Sequence, residues 1–175
     1  GVCSSVRPGD PRRPDESTDP ASAMMRLYVG TAGWAIPRAA SHRCDENGTH
    51  LQRYARVFTC AEINSSFHRP HAAGTYARWA ESTPAEFRFS VKVPKEITHV
   101  LRLRQSRAAL ERFLSETSAL GCKRGPLLVQ LPPSFEFDRR VVGRFLSLVR
   151  SMYEGLIAFE PRHHSWFDGA TTVLA

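Results

Sequence analysis

The chain has 175 residues, 24 Lys and Arg against 17 Asp and Glu, a formal net charge of +7, and 42% hydrophobic residues. That balance excludes a disordered or fibrous protein, and no apolar run approaches the roughly 20 residues that a bilayer-crossing helix needs. Cys3, Cys44, Cys60 and Cys122 lie far apart with no CxxC or Cys/His ligand spacing, so neither a zinc site nor a disulfide framework is signalled and a reducing cytoplasm is expected.

Residues 1–23 are rich in Pro, Ser, Asp and Arg and lack an apolar core, which predicts a disordered leader rather than a secretory signal. Met24 and Met25 stand just before the first strand-like run and offer a translation start. The expected domain is 24–175. Its basic charge does not depend on the leader, which holds three basic and four acidic residues.

The first strand is expected over 27–31. Gly30-Thr31-Ala32-Gly33-Trp34 follows it but fits neither nucleotide-phosphate fingerprint. Asn47-Gly48-Thr49 reads as the entry to a first helix marked by Leu51, Tyr54 and Phe58. A second strand at 60–64 precedes a helix holding Tyr76 and Trp79, which Thr83-Pro84 closes because proline cannot continue the ladder. After a third strand at 87–93, Leu110, Phe113, Leu114 and Thr117 repeat at helical spacing, with Ser106 as candidate cap and Gly121 as stop. A fourth strand at 127–131 leads to Val142, Phe145, Leu146 and Val149, with Asp138 placed to accept the free N–H groups of that helix. The fifth strand is expected at 156–159, and Ser165 with Asp168 approximates a capping box for a fifth helix.

Strands that begin about 30 residues apart and alternate with helices predict a parallel sheet built from βαβ units. Within the strands one parity carries polar groups near the C-terminal end: Glu62 and Asn64, Ser90 and Lys92, Gln130, Glu160 and Arg162. The opposite parity is apolar. A barrel lumen with a polar upper layer has this pattern, whereas an open sheet covered on both faces reads as continuous apolar runs. The expected fold is α/β, a TIM-type barrel with about five β/α units, fewer than the eight of about 250 residues in a full barrel.

The motifs VGTAGW (29–34), AEINSSF (61–67), VKVP (91–94) with ITH (97–99), GPLLVQLPPSF (125–135) and FEPRH (159–163) with SWF (165–167) together resemble the YecE-like family, the domain of unknown function 72. The likeness runs from about Leu27 to Phe167 in order. It implies a TIM-type barrel and brings no established reaction with it. The family's chains normally continue through three further β/α units, and His68 stands where the family often has Tyr.

Glu62 and Glu160 are the candidate catalytic pair. Three steps apart around an eight-strand ring, their carboxylates are expected about 6–9 Å from each other, which suits an acid and base acting across a water or a shared metal. Their plainer role is ion pairing with Lys92 and Arg162. Lys92 and Arg162 are candidate anion ligands, and Asn64, Ser65, Thr98 and Gln130 add hydrogen-bonding capacity for a polyhydroxylated ligand. His99 is a third catalytic candidate; His68, His163 and His164 also lie in loops after strands. Trp34, Phe67 and Trp166 are candidate pocket walls, or else packing for the rim.

The sequence specifies no cofactor and leaves any metal unidentified. The leading expectation is an enzyme-like barrel that binds a small anionic, phosphorylated or sugar-like ligand at its C-terminal rim. A nucleic-acid-binding or metal-dependent nuclease-like barrel is the second, motivated by the basic charge, and an inactive truncated barrel with bare strand edges is the third.

Overall fold

The computed structural model of the chain describes residues 27–37, 39 and 47–168. The expected leader, both candidate start methionines, Cys3 and Cys44 lie outside them.

Five strands, β1 (Gly30–Ala32), β2 (Cys60–Ile63), β3 (Arg88–Lys92), β4 (Arg124–Gln130) and β5 (Ile157–Glu160), form one sheet in the order β1-β2-β3-β4-β5, with every neighbouring pair parallel. Four helices connect them: α1 (His50–Ala55), α2 (Ala73–Glu81), α3 (Arg107–Thr117) and α4 (Arg139–Arg150). The order never reverses, so the described sheet has no switch point of the doubly wound kind.

The two sheet faces differ as the parity predicts. Ala61, Ile63, Phe89, Val91, Leu127 and Val129 are at most 1% exposed and join the helices in the main core. On the other face Glu62, Ser90, Leu128, Gln130 and Glu160 are half-buried and Ala158 is exposed. The hydrophobic effect therefore anchors one side, at roughly 1.5–3 kcal/mol for each large side chain fully buried, and leaves the other side available for polar groups. Gly30 lets β1 approach β2, because a Cβ there would collide with the Cys60 carbonyl.

Local signals govern the helix starts unevenly. Thr49 caps α1, its hydroxyl accepting from Gln52 N at 3.2 Å while Gln52 Oε1 accepts from Thr49 N at 2.8 Å. Asp138 caps α4 as expected, one carboxylate oxygen accepting from Arg140 N at 2.9 Å and Val141 N at 3.1 Å. Ser106 immediately precedes α3 but makes no side-chain cap bond; its buried hydroxyl points back toward the Leu103 carbonyl at 3.5 Å. Strand β4 begins three residues earlier than expected and β1 is shorter. At Ser165 the chain makes a short 3-10 turn, His164–Trp166, in which His163 supplies the cap. The rest of the expected fifth helix falls beyond the described residues.

After β3 comes a feature that the periodicity did not announce. Glu96–Val100 is a single π-helical turn, followed by Arg102, Leu103 and Gln105 at φ of 50°, 64° and 49°. Left-handed backbone costs a non-glycine residue about 1–2 kcal/mol. Burial of Leu103, the Leu103 N–H bond to the Ile97 carbonyl at 2.9 Å and the Arg102 Nη2 bond to the Ser134 carbonyl at 2.9 Å hold the segment there.

Candidate functional site

The C-terminal ends of β2, β3, β4 and β5 bring together most of the residues expected there. Register sets the first pair, because Gln130 and Glu160 are opposite partners on β4 and β5, and Gln130 Nε2 donates to Glu160 Oε1 at 2.8 Å. Arg162, just past β5, donates from Nε and Nη2 to the same oxygen at 3.2 and 3.1 Å.

Lys92 ends β3 on the same sheet face and is only 9% exposed. Its ammonium lies 4.6 Å from the centroid of the Phe67 ring, a cation–π contact that partly replaces lost hydration. The Ser66 hydroxyl lies 2.8 Å from the Ile63 carbonyl and 2.6 Å from that of Lys92, so it ties the end of β2 to the end of β3.

The two glutamates share this space in opposite electrostatic states. Burial raises the Glu62 carboxyl above its ordinary value; the Lys92 charge opposes that rise and the Glu160 charge adds to it. For Glu160 burial also favours the neutral acid, but the hydrogen bonds from Gln130 and Arg162, then the charges of Arg162 and Lys92, outweigh it and bring the pKa below the usual range. Lys92 is thus felt by both carboxyls, and the charge of Glu160 is felt by Glu62.

His99 joins the group from the π turn, its ring 5.0 Å from Phe67 and its Nδ1 2.9 Å from the hydroxyl of fully buried Thr98. Burial lowers its pKa, and the charges of Lys95, Lys92, Arg162 and Arg102 lower it further, so at neutral pH the imidazole is uncharged and can accept a proton. Asn64, at the end of β2, keeps its Oδ1 buried without a hydrogen-bond partner among the described residues.

Two expected pocket walls lie elsewhere. Trp34 packs edge-on against Trp79 and Phe89, at 5.0 and 6.2 Å, on the helix side of the sheet. Trp166 is 4% exposed, donates from Nε1 to the Phe135 carbonyl at 2.8 Å and packs on Phe137 and Phe159. Trp166 serves as core, whereas Trp34 is half-buried, packs against the core and lines a cleft with Thr49, His50 and Arg78. His68 is exposed beside Phe67, while the His163 and His164 rings lie 4.2 Å apart in the turn after β5. His71, which the sequence did not single out, has Nε2 2.8 Å from the Ser65 hydroxyl, and its ring is braced by Trp79 and Tyr76. Its only sequence signal was a position four residues after the AEINSSF motif, within HRPH.

Among the described residues no three or more His, Cys, Asp or Glu side chains gather as a metal set. The Lys92 charge acts on both glutamates and is a poor neighbour for a divalent cation. No described helix is long and apolar enough to cross a membrane.

A parallel sheet wound in chain order, with ionisable groups converging at the strand C-termini, defines a β/α-repeat protein. The family described as "Protein of unknown function DUF72" matches residues 28–175, and the chain belongs to it. It is 32% identical to the UPF0759 protein YecE of Escherichia coli K12 over 62% of this chain and 39% of that protein. To the UPF0759 protein YunF of Bacillus subtilis it is 28% identical, over 81% of this chain and 52% of the relative. The chain therefore spans about half, or less, of the length of these relatives. A crystal structure of a DUF72 family protein from Enterococcus faecalis matches with a TM-score of 0.68 at 22% identity, over 83% of this chain and 54% of that one. Another from Thermotoga maritima matches at 0.63 and 29% identity, over 79% and 56%.

Proposed function

We propose that the sheet is part of the wall of a TIM-type barrel and that its C-terminal rim binds a small anionic, phosphorylated or sugar-like ligand for proton-transfer chemistry. The barrel reading is supported by the unbroken parallel strand order and by the half-buried polar face opposite the helices. The observation that carries the chemistry is the opposite displacement of the two glutamates. Neighbouring carboxyls whose environments push their pKa values apart divide into an acid and a base. Glu62, which keeps its proton to higher pH, is the better suited to donate and Glu160, which ionises at lower pH, to serve as the charged partner, with His99 as a further acceptor. Lys92 and Arg162 supply positive charge to an anionic group, and Asn64 Oδ1 accepts from a ligand hydroxyl. Free Cys60 and Cys122 suit a reducing, cytoplasmic setting.

The reading is tested by thermal shift against a panel of inorganic phosphate, sugar phosphates and small carboxylates. The expected result is stabilisation by at least one phosphorylated compound, lost in Arg162→Ala and weakened in Lys92→Met. A ligand shift that both variants retain in full would place binding elsewhere.

A further inference from the structure

Outside the rim cup, six arginines line two adjoining clefts. One, of about 680 Å³, lies between the loop after β3 and the loop after β4 and is lined by Arg102, Arg104, Arg139 and Arg140. The other, of about 310 Å³, runs between α3 and α4 and is lined by Arg104, Arg107 and Arg144. Arg104 lines both, so the clefts adjoin at its side chain as a two-part basic groove. Only two carboxylates, Glu136 and Asp138, line it, and Asp138 is already engaged by the N-terminal N–H groups of α4 and by Arg104 at 3.3 Å.

The placement of these charges runs against the needs of the fold. Arg107 opens α3 and Arg139 and Arg140 open α4, and neither helix has an acidic residue in its first turn. A helix N-terminus carries partial positive charge, so cations there destabilise it and anions are favoured. Asp138 caps α4 and Arg107 pairs with Glu111 at 3.4 Å, yet Arg107, Arg139 and Arg140 still add positive charge at two helix starts, which an external anion would offset. Arg102 is held in position by its bond to the Ser134 carbonyl and by the Phe135 ring 4.8 Å away. Arg104 and Arg107 keep about two-thirds of their side-chain surface open.

We propose that this groove binds the phosphodiester backbone of a nucleic acid. Six guanidinium forks distributed over two adjoining clefts suit a repeating phosphate better than a single compact anion. Of the aromatic rings in the lining, Phe135 and Phe145 are buried and half-buried Phe137 is packed edge-on against Trp166, so contact is made chiefly to the backbone rather than to the bases.

The test is fluorescence anisotropy with a labelled oligothymidylate of about 20 nucleotides, longer than the roughly 4–16 that a single-strand groove covers. Wild type is compared with Arg139→Ala/Arg140→Ala and with Arg78→Ala/Arg150→Ala, which removes the same charge from exposed positions outside the groove. Circular dichroism melts verify folding; both groove substitutions relieve helix-end charge and are expected to leave the fold intact. The proposal predicts salt-sensitive binding, weakened by about tenfold in the groove variant, with the slope of log K against log salt flattened by about 1.4. The control variant should stay within about twofold of wild type. Absence of binding at low salt, or equal weakening in the two variants, would overturn it.

Discussion

Glu62 and Glu160 face one cup yet respond to pH in opposite directions. Because the folded pKa of Glu62 is raised, the native state keeps its proton longer than the unfolded chain does. Stability then falls as pH rises from the ordinary 4.5 through the raised value. Glu160 is the reverse: its depressed pKa contributes stability that is present above 4.5 and is lost as pH falls through the folded value. Thermal denaturation across about pH 4 to 7 should therefore show Glu62→Gln gaining stability relative to wild type as pH rises, while Glu160→Gln loses it. With the Glu160 side chain 43% exposed, its loss at neutral pH should be modest, roughly 0.5–1 kcal/mol. Parallel pH profiles for the two variants would contradict this assignment.

At this scale the sequence made the polar set legible, because strand parity alone assigns Glu62, Lys92, Gln130 and Glu160 to one face. It did not reveal which glutamate holds its proton, since that depends on Gln130 and Arg162 converging on a single oxygen. Nor did it reveal that Trp166 packs into the core while Trp34 turns to the helix side of the sheet. Both lie in loops, where no periodicity fixes side-chain direction and packing against Trp79 or Phe137 decides.

At the scale of elements, the connections carry more information than the helices. Thr49 and Asp138 act as the caps that local chemistry predicts, whereas Ser106 is drawn away by a turn built from left-handed residues. That turn has no glycine, so nothing in the composition marked it, and it matters because the π turn preceding it presents His99 to the cup. Gln105 is exposed at φ of 49°, and glycine would relieve its strain. Chemical denaturation should find Gln105→Gly as stable as wild type or up to about 1 kcal/mol more so, the relief being partly offset by chain entropy. Gln105→Val should be less stable by about 1 kcal/mol or more, because a β-branched residue tolerates this region worst. Equal stability of the two variants would mean that the turn is not strained.

For the whole molecule, alternation of strand and helix was enough to read a parallel sheet, and sequential order followed from short connections. The described sheet leaves β1 and β5 as edges, with Leu27, Val29 and Leu156 at 77%, 52% and 71% exposure beside them. Unpaired parallel edges next to apolar side chains favour pairing with another chain. The 175-residue chain studied alone should self-associate in sedimentation velocity as its concentration rises, and Leu156→Lys should reduce this. A monomer at every concentration would contradict it.

The central claim is that one sheet gathers two glutamates around Lys92 and holds their protons unequally. Carboxyl carbon NMR titration of the folded chain measures this directly, with Glu62→Gln and Glu160→Gln used for assignment. Glu62 should titrate above the ordinary glutamate value and Glu160 below it, and removing the Glu160 charge should bring Glu62 down. Two carboxyls that both titrate normally, each indifferent to loss of the other, would contradict the account.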